Sequence, residues 1–180
     1  MPETPESDAE VAALVQAIEA GEDGIAIPQE LVDEPERTAP PPSQSLYAQI
    51  LAMPVAGKIK LALRGNRDAR LILIRDNNKL VRRFVLLNPR ISDGEVIALA
   101  RNRTADDELL RTIIDRREWM RNYQIRLALT TNPKTPLAVA LRQLATLDER
   151  DVRQIGKSKN VPQAVAVHAR RIILTKQGGH

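Results

Sequence analysis

Three segments decide the fold: Arg70-Leu71-Ile72-Leu73-Ile74, Arg111-Thr112-Ile113-Ile114 and Arg153-Gln154-Ile155, whose arginines stand 41 and 42 residues apart. Each follows a short polar loop and each leads into a second apolar segment. Those second segments align as well: Val81-Arg82-Arg83-Phe84-Val85, Ile125-Arg126-Leu127-Ala128-Leu129 and Val165-Ala166-Val167-His168-Ala169. The first two are followed by the same dipeptide, Asn88-Pro89 and Asn132-Pro133. The second unit is three residues longer between its two segments, so the register is imperfect. A period of about 40 residues with helical patterning predicts an all-α chain of about three repeats, because one helix pair cannot bury its own apolar face.

The punctuation between these segments is that of short helices. Pro54 suits a helix start and Gly65 a stop, Asn66 and Asn77 or Asn78 suit N-caps, and Ser92-Asp93-Gly94-Glu95 reads as a capping box. Thr104, the run Asp115-Arg116-Arg117-Glu118, Thr135-Pro136, Asp148 and Pro162 mark further starts. About nine helices are expected over residues 46–180. Of the 180 residues only Tyr47, Phe84, Trp119 and Tyr123 are aromatic, so the core is aliphatic, which suits helices better than strands.

The formal charge of +4 is a near-cancellation. Residues 1–45 hold eleven Asp or Glu and only Arg37, a net −10, whereas residues 46–180 hold 26 Lys or Arg against 12 Asp or Glu, a net +14. Such a split points to an electrostatic partner, or to a tail that modulates access to one. Residues 1–45 read as a mostly disordered, proline-rich extension, with Pro40-Pro41-Pro42 in a spacer that suits neither helix nor sheet. Within it, Ser7-Asp8-Ala9-Glu10 forms a capping box ahead of Val11, Leu14, Val15 and Ile18, and Gly21 offers a stop. The resulting helix over 8–20 is marginal alone and needs something to dock on.

On its period and its short helices, the stretch 54–175 resembles HEAT-like repeats and leucine-rich-repeat-variant arrays. Gly65-Asn66-Arg67-Asp68-Ala69-Arg70 and Lys159-Asn160-Val161-Pro162 are similar to segments of a bacterial family without assigned function. The resemblance implies a short α-solenoid of about three units, residues 46–180, that works as a scaffold and binds partners on its concave surface.

No cofactor, metal or nucleophile motif is legible. Absence of cysteine rules out a disulfide framework and a thiolate metal site. Gly156-Lys157-Ser158 ends like a P-loop, but Asp151 stands where that motif needs glycine and a helix precedes it. His168 occupies an apolar helical position, and Asp106-Asp107-Glu108 suits a helix N-terminus. A base-excision enzyme of HEAT-like type would want a carboxylate beside aromatics, for which only Trp119 and Tyr123 offer themselves.

Binding is better supported than catalysis. The candidate partner-binding residues are Arg70, Arg111 and Arg153, Arg82 and Arg126, and the basic-aromatic cluster Arg116, Arg117, Trp119 and Arg121. Equivalent arginines on stacked repeats would form rows whose guanidinium forks suit carboxylates or phosphates. Trp119 equally suits a core position in the longer second repeat. The expected function is a non-enzymatic cytoplasmic scaffold that binds an acidic protein segment, with the acidic tail modulating access. The alternative is a duplex nucleic-acid binder gripping phosphates; too few aromatics are present for stacking on successive bases. No apolar run approaches the ~20 residues of a membrane span.

Overall fold

A computed structural model describes residues 5, 7–33 and 44–177. Arg37, the proline spacer and His180 lie outside the described residues. Among the described residues there are twelve α-helices, one 3-10 turn and no strand. The chain is all-α. It divides into two compact units, Met1–Ile91 and Ser92–His180, so the acidic segment shares a unit with the first basic helices.

The first unit contains α1 (Asp8–Ala20), a 3-10 turn (Gln29–Leu31), α2 (Gln44–Ala52), α3 (Val55–Arg64), α4 (Arg67–Leu73) and α5 (Lys79–Val85). Ser7 and Glu10 form the expected capping box of α1, and Gly21 ends it at φ 77°, a left-handed conformation that glycine adopts without a Cβ clash. Ile18 and Leu31 are fully buried in one core with Ile59, Leu61, Leu73, Val81 and Phe84. Residues 7–33 are therefore folded, unlike the mostly disordered tail that their composition suggests. The reason is tertiary: each buried aliphatic side chain contributes about 1.5–3 kcal/mol, which offsets the marginal stability of α1 alone.

Polar contacts fix the same segment. Lys60 Nζ lies 2.7 Å from Asp23 Oδ1, and the Asp23 side chain is 1% exposed. Burial pushes the Asp23 carboxyl up, but the hydrogen bonds from Lys60 and the Ile25 N–H, with the Lys60 charge, outweigh it and hold the group below the usual range. Arg64 donates to the Ile18 and Glu19 carbonyls at the C-terminal end of α1, where a cation complements the helix dipole. Arg90 donates to Val32 O at 2.8 Å.

The second unit contains α6 (Asp93–Arg101), α7 (Asp107–Asp115), α8 (Arg117–Arg121), α9 (Tyr123–Thr131), α10 (Leu137–Leu144), α11 (Glu149–Lys157) and α12 (Gln163–Gln177). The nine expected helices are all present, and α2 and α8 are additional. The capping boxes at Ser7 and Ser92 form as read. Two starts differ. Asp106, rather than Thr104, caps α7, because Thr104 is bonded back to Asn102 Oδ1. Asn122 caps α9, while the Arg116–Glu118 run opens α8.

The repeating element is a trio of helices: α3–α4–α5, then α6–α7–α9, then α10–α11–α12. In each trio the first and third helices pack together, and within the second unit α9 also packs on α10. The trio explains the repeated Asn-Pro. Asn88 donates to the carbonyls of Ala62 at 2.8 Å and Gly65 at 3.1 Å, and its side-chain oxygen accepts from Arg90 N. Asn132 donates to Ala100 O at 2.7 Å and Asn102 O at 2.9 Å, and accepts from Lys134 N. Ala62 and Ala100 both lie eight residues past the N-caps Pro54 and Ser92. One buried amide at the end of the third helix thus satisfies orphan carbonyls at the end of the first.

Candidate functional site

The structure separates the nine candidate residues into buried, bonded and exposed groups. Counting from the N-caps Asn66, Asp106 and Asp148 gives the true register of the second helices. Four residues on stand Arg70, Leu110 and Val152, all buried; five on stand Leu71, Arg111 and Arg153, all exposed. Arg70 is 3% exposed and donates to Gly65 O, while Leu71 is 40% exposed where the row demands an arginine. The sequence alignment is one residue out in the first repeat, so Arg70 is a core residue and leaves the binding set.

Arg82 is half-buried and donates to Asp76 O. Arg126 is half-buried with its guanidinium 5.7 Å from the Tyr123 ring centre. Trp119 is buried on the inserted helix α8, and Arg116 covers its ring at 4.7 Å. An indole packed in this way is closed to base stacking. Arg117 and Arg121 are exposed on the same short helix.

Charge is concentrated elsewhere. The first unit contains 11 Lys or Arg against 13 Asp or Glu, a net −2, and the second contains 16 against 10, a net +6. Residues 148–177 alone hold seven cations against three acids, and no Asp or Glu occurs after Asp151. On α11, Arg150, Arg153 and Lys157 follow one another at helical spacing and line a shallow depression with Glu149 and Gln154. On α12, which packs on α11, Arg170 and Arg171 are exposed.

Gly156 sets the distance between the two helices. A Cβ there would lie 3.1 Å from Arg170 Cγ and 3.4 Å from Arg170 N, so α12 passes α11 closely at this point. The same glycine and Lys157 belong to helix α11, in keeping with the dismissal of a P-loop. At the other end of the pair, Arg153 donates to Glu149 Oε1. That hydrogen bond and the Arg153 charge, helped by Lys176, hold the Glu149 carboxyl below its usual range. The missed residues are Arg150, Lys157, Arg170 and Arg171; the i, i+3, i+7 spacing on α11 is the signal that could have found them.

Two further concavities contain polar side chains. In the second unit, a cleft of about 250 Å³ is lined by Arg101, Leu127, Thr131, Asp151, Gln154 and Ser158. Its carboxylate is occupied: the Tyr123 hydroxyl donates to Asp151 Oδ2 and accepts from Asp148 N at 3.2 Å. Burial and the Asp151 hydrogen bond push the Tyr123 phenol up, against a smaller opposite effect of the Asp148 N–H. In the first unit, a groove of about 440 Å³ runs beside Glu19, Arg64 and Arg90. His168 is half-buried at the position taken by buried Phe84 and Ala128 in the other third helices. Among the described residues, no cluster of His, Cys, Asp and Glu suits a metal ion, and no helix is long and apolar enough to cross a membrane.

Compared with family models, curated proteins and solved structures, the chain matches none.

Proposed function

We propose that this chain is a non-enzymatic binding module, a short solenoid of HEAT-like repeats, whose α11–α12 basic face receives an acidic segment of a partner protein. One observation carries the reading: Lys60 and Arg64 of the first unit are engaged by its own acidic segment, whereas the cations of α11 and α12 are exposed in a stretch without acids after Asp151. The acidic segment thus neutralises the first unit and leaves the second as the electrostatic face. Arginine forks at Arg150, Arg153, Arg170 and Arg171 suit carboxylates, which they bind in pairs of parallel hydrogen bonds. A protein partner is favoured over a duplex because exposed Val167 and Leu174 sit among these cations, and a phosphate backbone offers nothing apolar to cover them.

The test is a fluorescence titration of labelled polyglutamate with the full chain, beside the triple variant Arg150→Glu, Arg153→Glu, Lys157→Glu. Binding by the natural chain, weakening with salt and lost in the variant, is the expected result. Equal binding by both proteins places the site elsewhere. Tighter binding of duplex DNA than of polyglutamate, with a steep salt dependence, favours the nucleic-acid alternative.

A further inference from the structure

We propose that the outward face of α12 is the seat of a carboxylate-bearing amphipathic helix of a partner protein, which rests on the acidic-partner reading and narrows it to one helix face. The repeat itself shows what covers this position. On α9, Tyr123 and Leu127 lie one and five residues past the N-cap Asn122, and both pack against the core built by α10, α11 and α12. The helix laid along α9 is α10. Counted from Pro162, the matching positions on α12 are Gln163 and Val167. There, Val167 is 49% exposed and Leu174, two turns further on, is 68% exposed.

The opposite side of α12 is occupied. It packs on α11 and α10, and Val165 and Ala169 are buried in that core. Val167, Arg171 and Leu174 are exposed and spaced by four and three residues, so they form one stripe on the outward side, with Arg170 at its edge where α12 meets Gly156 of α11. The α9 face that meets α10 thus has an exposed counterpart on α12, at Val167 and Leu174.

The arginines choose the occupant. Two apolar side chains alone would accept any amphipathic helix, including α12 of a second copy. A second copy docked through the same stripe would set Arg171, with Arg170 at its edge, against the same charges of its partner, and like charges brought together cost affinity. A helix with apolar side chains at the same spacing and flanking carboxylates meets both needs. The first unit contains an example of such docking: α1, with Asp8, Glu10 and Glu19, buries Ile18 beside α3 while Arg64 holds its C-terminal carbonyls. Helix-in-groove recognition of this kind reads apolar anchors at i, i+3 or i+4, and i+7.

The experiment uses the full chain and a labelled peptide of residues 7–21, the sequence of α1, beside a peptide of the same composition in scrambled order. Anisotropy titrations are made with the natural chain and with the double variant Val167→Gln, Leu174→Gln, which keeps every charge and alters only exposed side chains. An unchanged circular-dichroism melt shows that the variant is folded. The expected result is that the ordered peptide binds about tenfold or more tighter than the scrambled one, and that the variant removes this difference while still binding polyglutamate. Equal binding of the two peptides, or undiminished binding of the ordered peptide by the variant, overturns the seat and leaves the wider acidic-partner reading standing. If the natural chain binds neither peptide nor polyglutamate, that wider reading falls as well. A natural dimer in sedimentation that the variant dissociates also overturns the proposal, because the face is then closed by a second copy.

Discussion

Asn132 ties the end of α9 to the end of α6 in the second unit. Its amide donates to two carbonyls of α6 and the following cap, and its oxygen accepts a backbone N–H, so all its principal bonding capacity is used in a buried site. Asn132→Ala leaves those carbonyls without a donor, and the expected cost is roughly 2–3 kcal/mol. Urea unfolding checks this as a lower midpoint at unchanged slope. Asn132→Asp removes the donors while keeping the shape, so it should be no better tolerated. Tyr123 gives a prediction in pH. Its phenol is pushed up in the folded chain, so on raising the pH the unfolded chain loses this proton first, from about pH 10. Its contribution to stability is therefore present below that pH and declines above it. Thermal melts through that range should show a shallower alkaline fall for Tyr123→Phe than for the natural chain.

At the scale of elements, the helices were legible because their boundaries are chemical. Ser7 and Ser92 with their glutamates, Asn66, Asn78, Gly21 and Gly65 all stand where the caps form. The register of the first repeat was not legible. Arg70 and Leu71 exchange the roles that Leu110 and Arg111 play, and a buried arginine bonded to Gly65 O does not look like a core residue in composition. The amide clamps were visible only as a repeated dipeptide, since a hydrogen bond across 26 or 32 residues has no local signature. Gly65 offers a direct test of the close packing at the end of α3. Its φ of −64° is open to any residue, but a Cβ would lie 2.2 Å from Leu61 O and 2.9 Å from Ala69 Cβ. Gly65→Ala should therefore destabilise the first unit by about 1–3 kcal/mol, the usual cost of overpacking, read as a lowered melting temperature.

Across the whole molecule, the split in charge has a structural meaning different from the one the totals suggest. The acidic segment is built into the first unit, with Ile18 and Leu31 buried, Asp23 paired to Lys60 and the carbonyls of Ile18 and Glu19 bonded by Arg64, so Lys60 and Arg64 of α3 are engaged by it. Composition could not show this, because the few apolar residues that anchor residues 7–33 lie among eight Asp or Glu in the first 31 residues. Ile18→Ala should cost about 2–5 kcal/mol and loosen the segment, with faster amide exchange in α1 as the readout. The proposed binding face is the exposed basic pair α11 and α12. The most direct test of that claim is a backbone-amide NMR titration of the full chain with polyglutamate. Shifts confined to residues 149–157 and 163–177 are the predicted result; shifts centred on the first unit, or none at low salt, would contradict it.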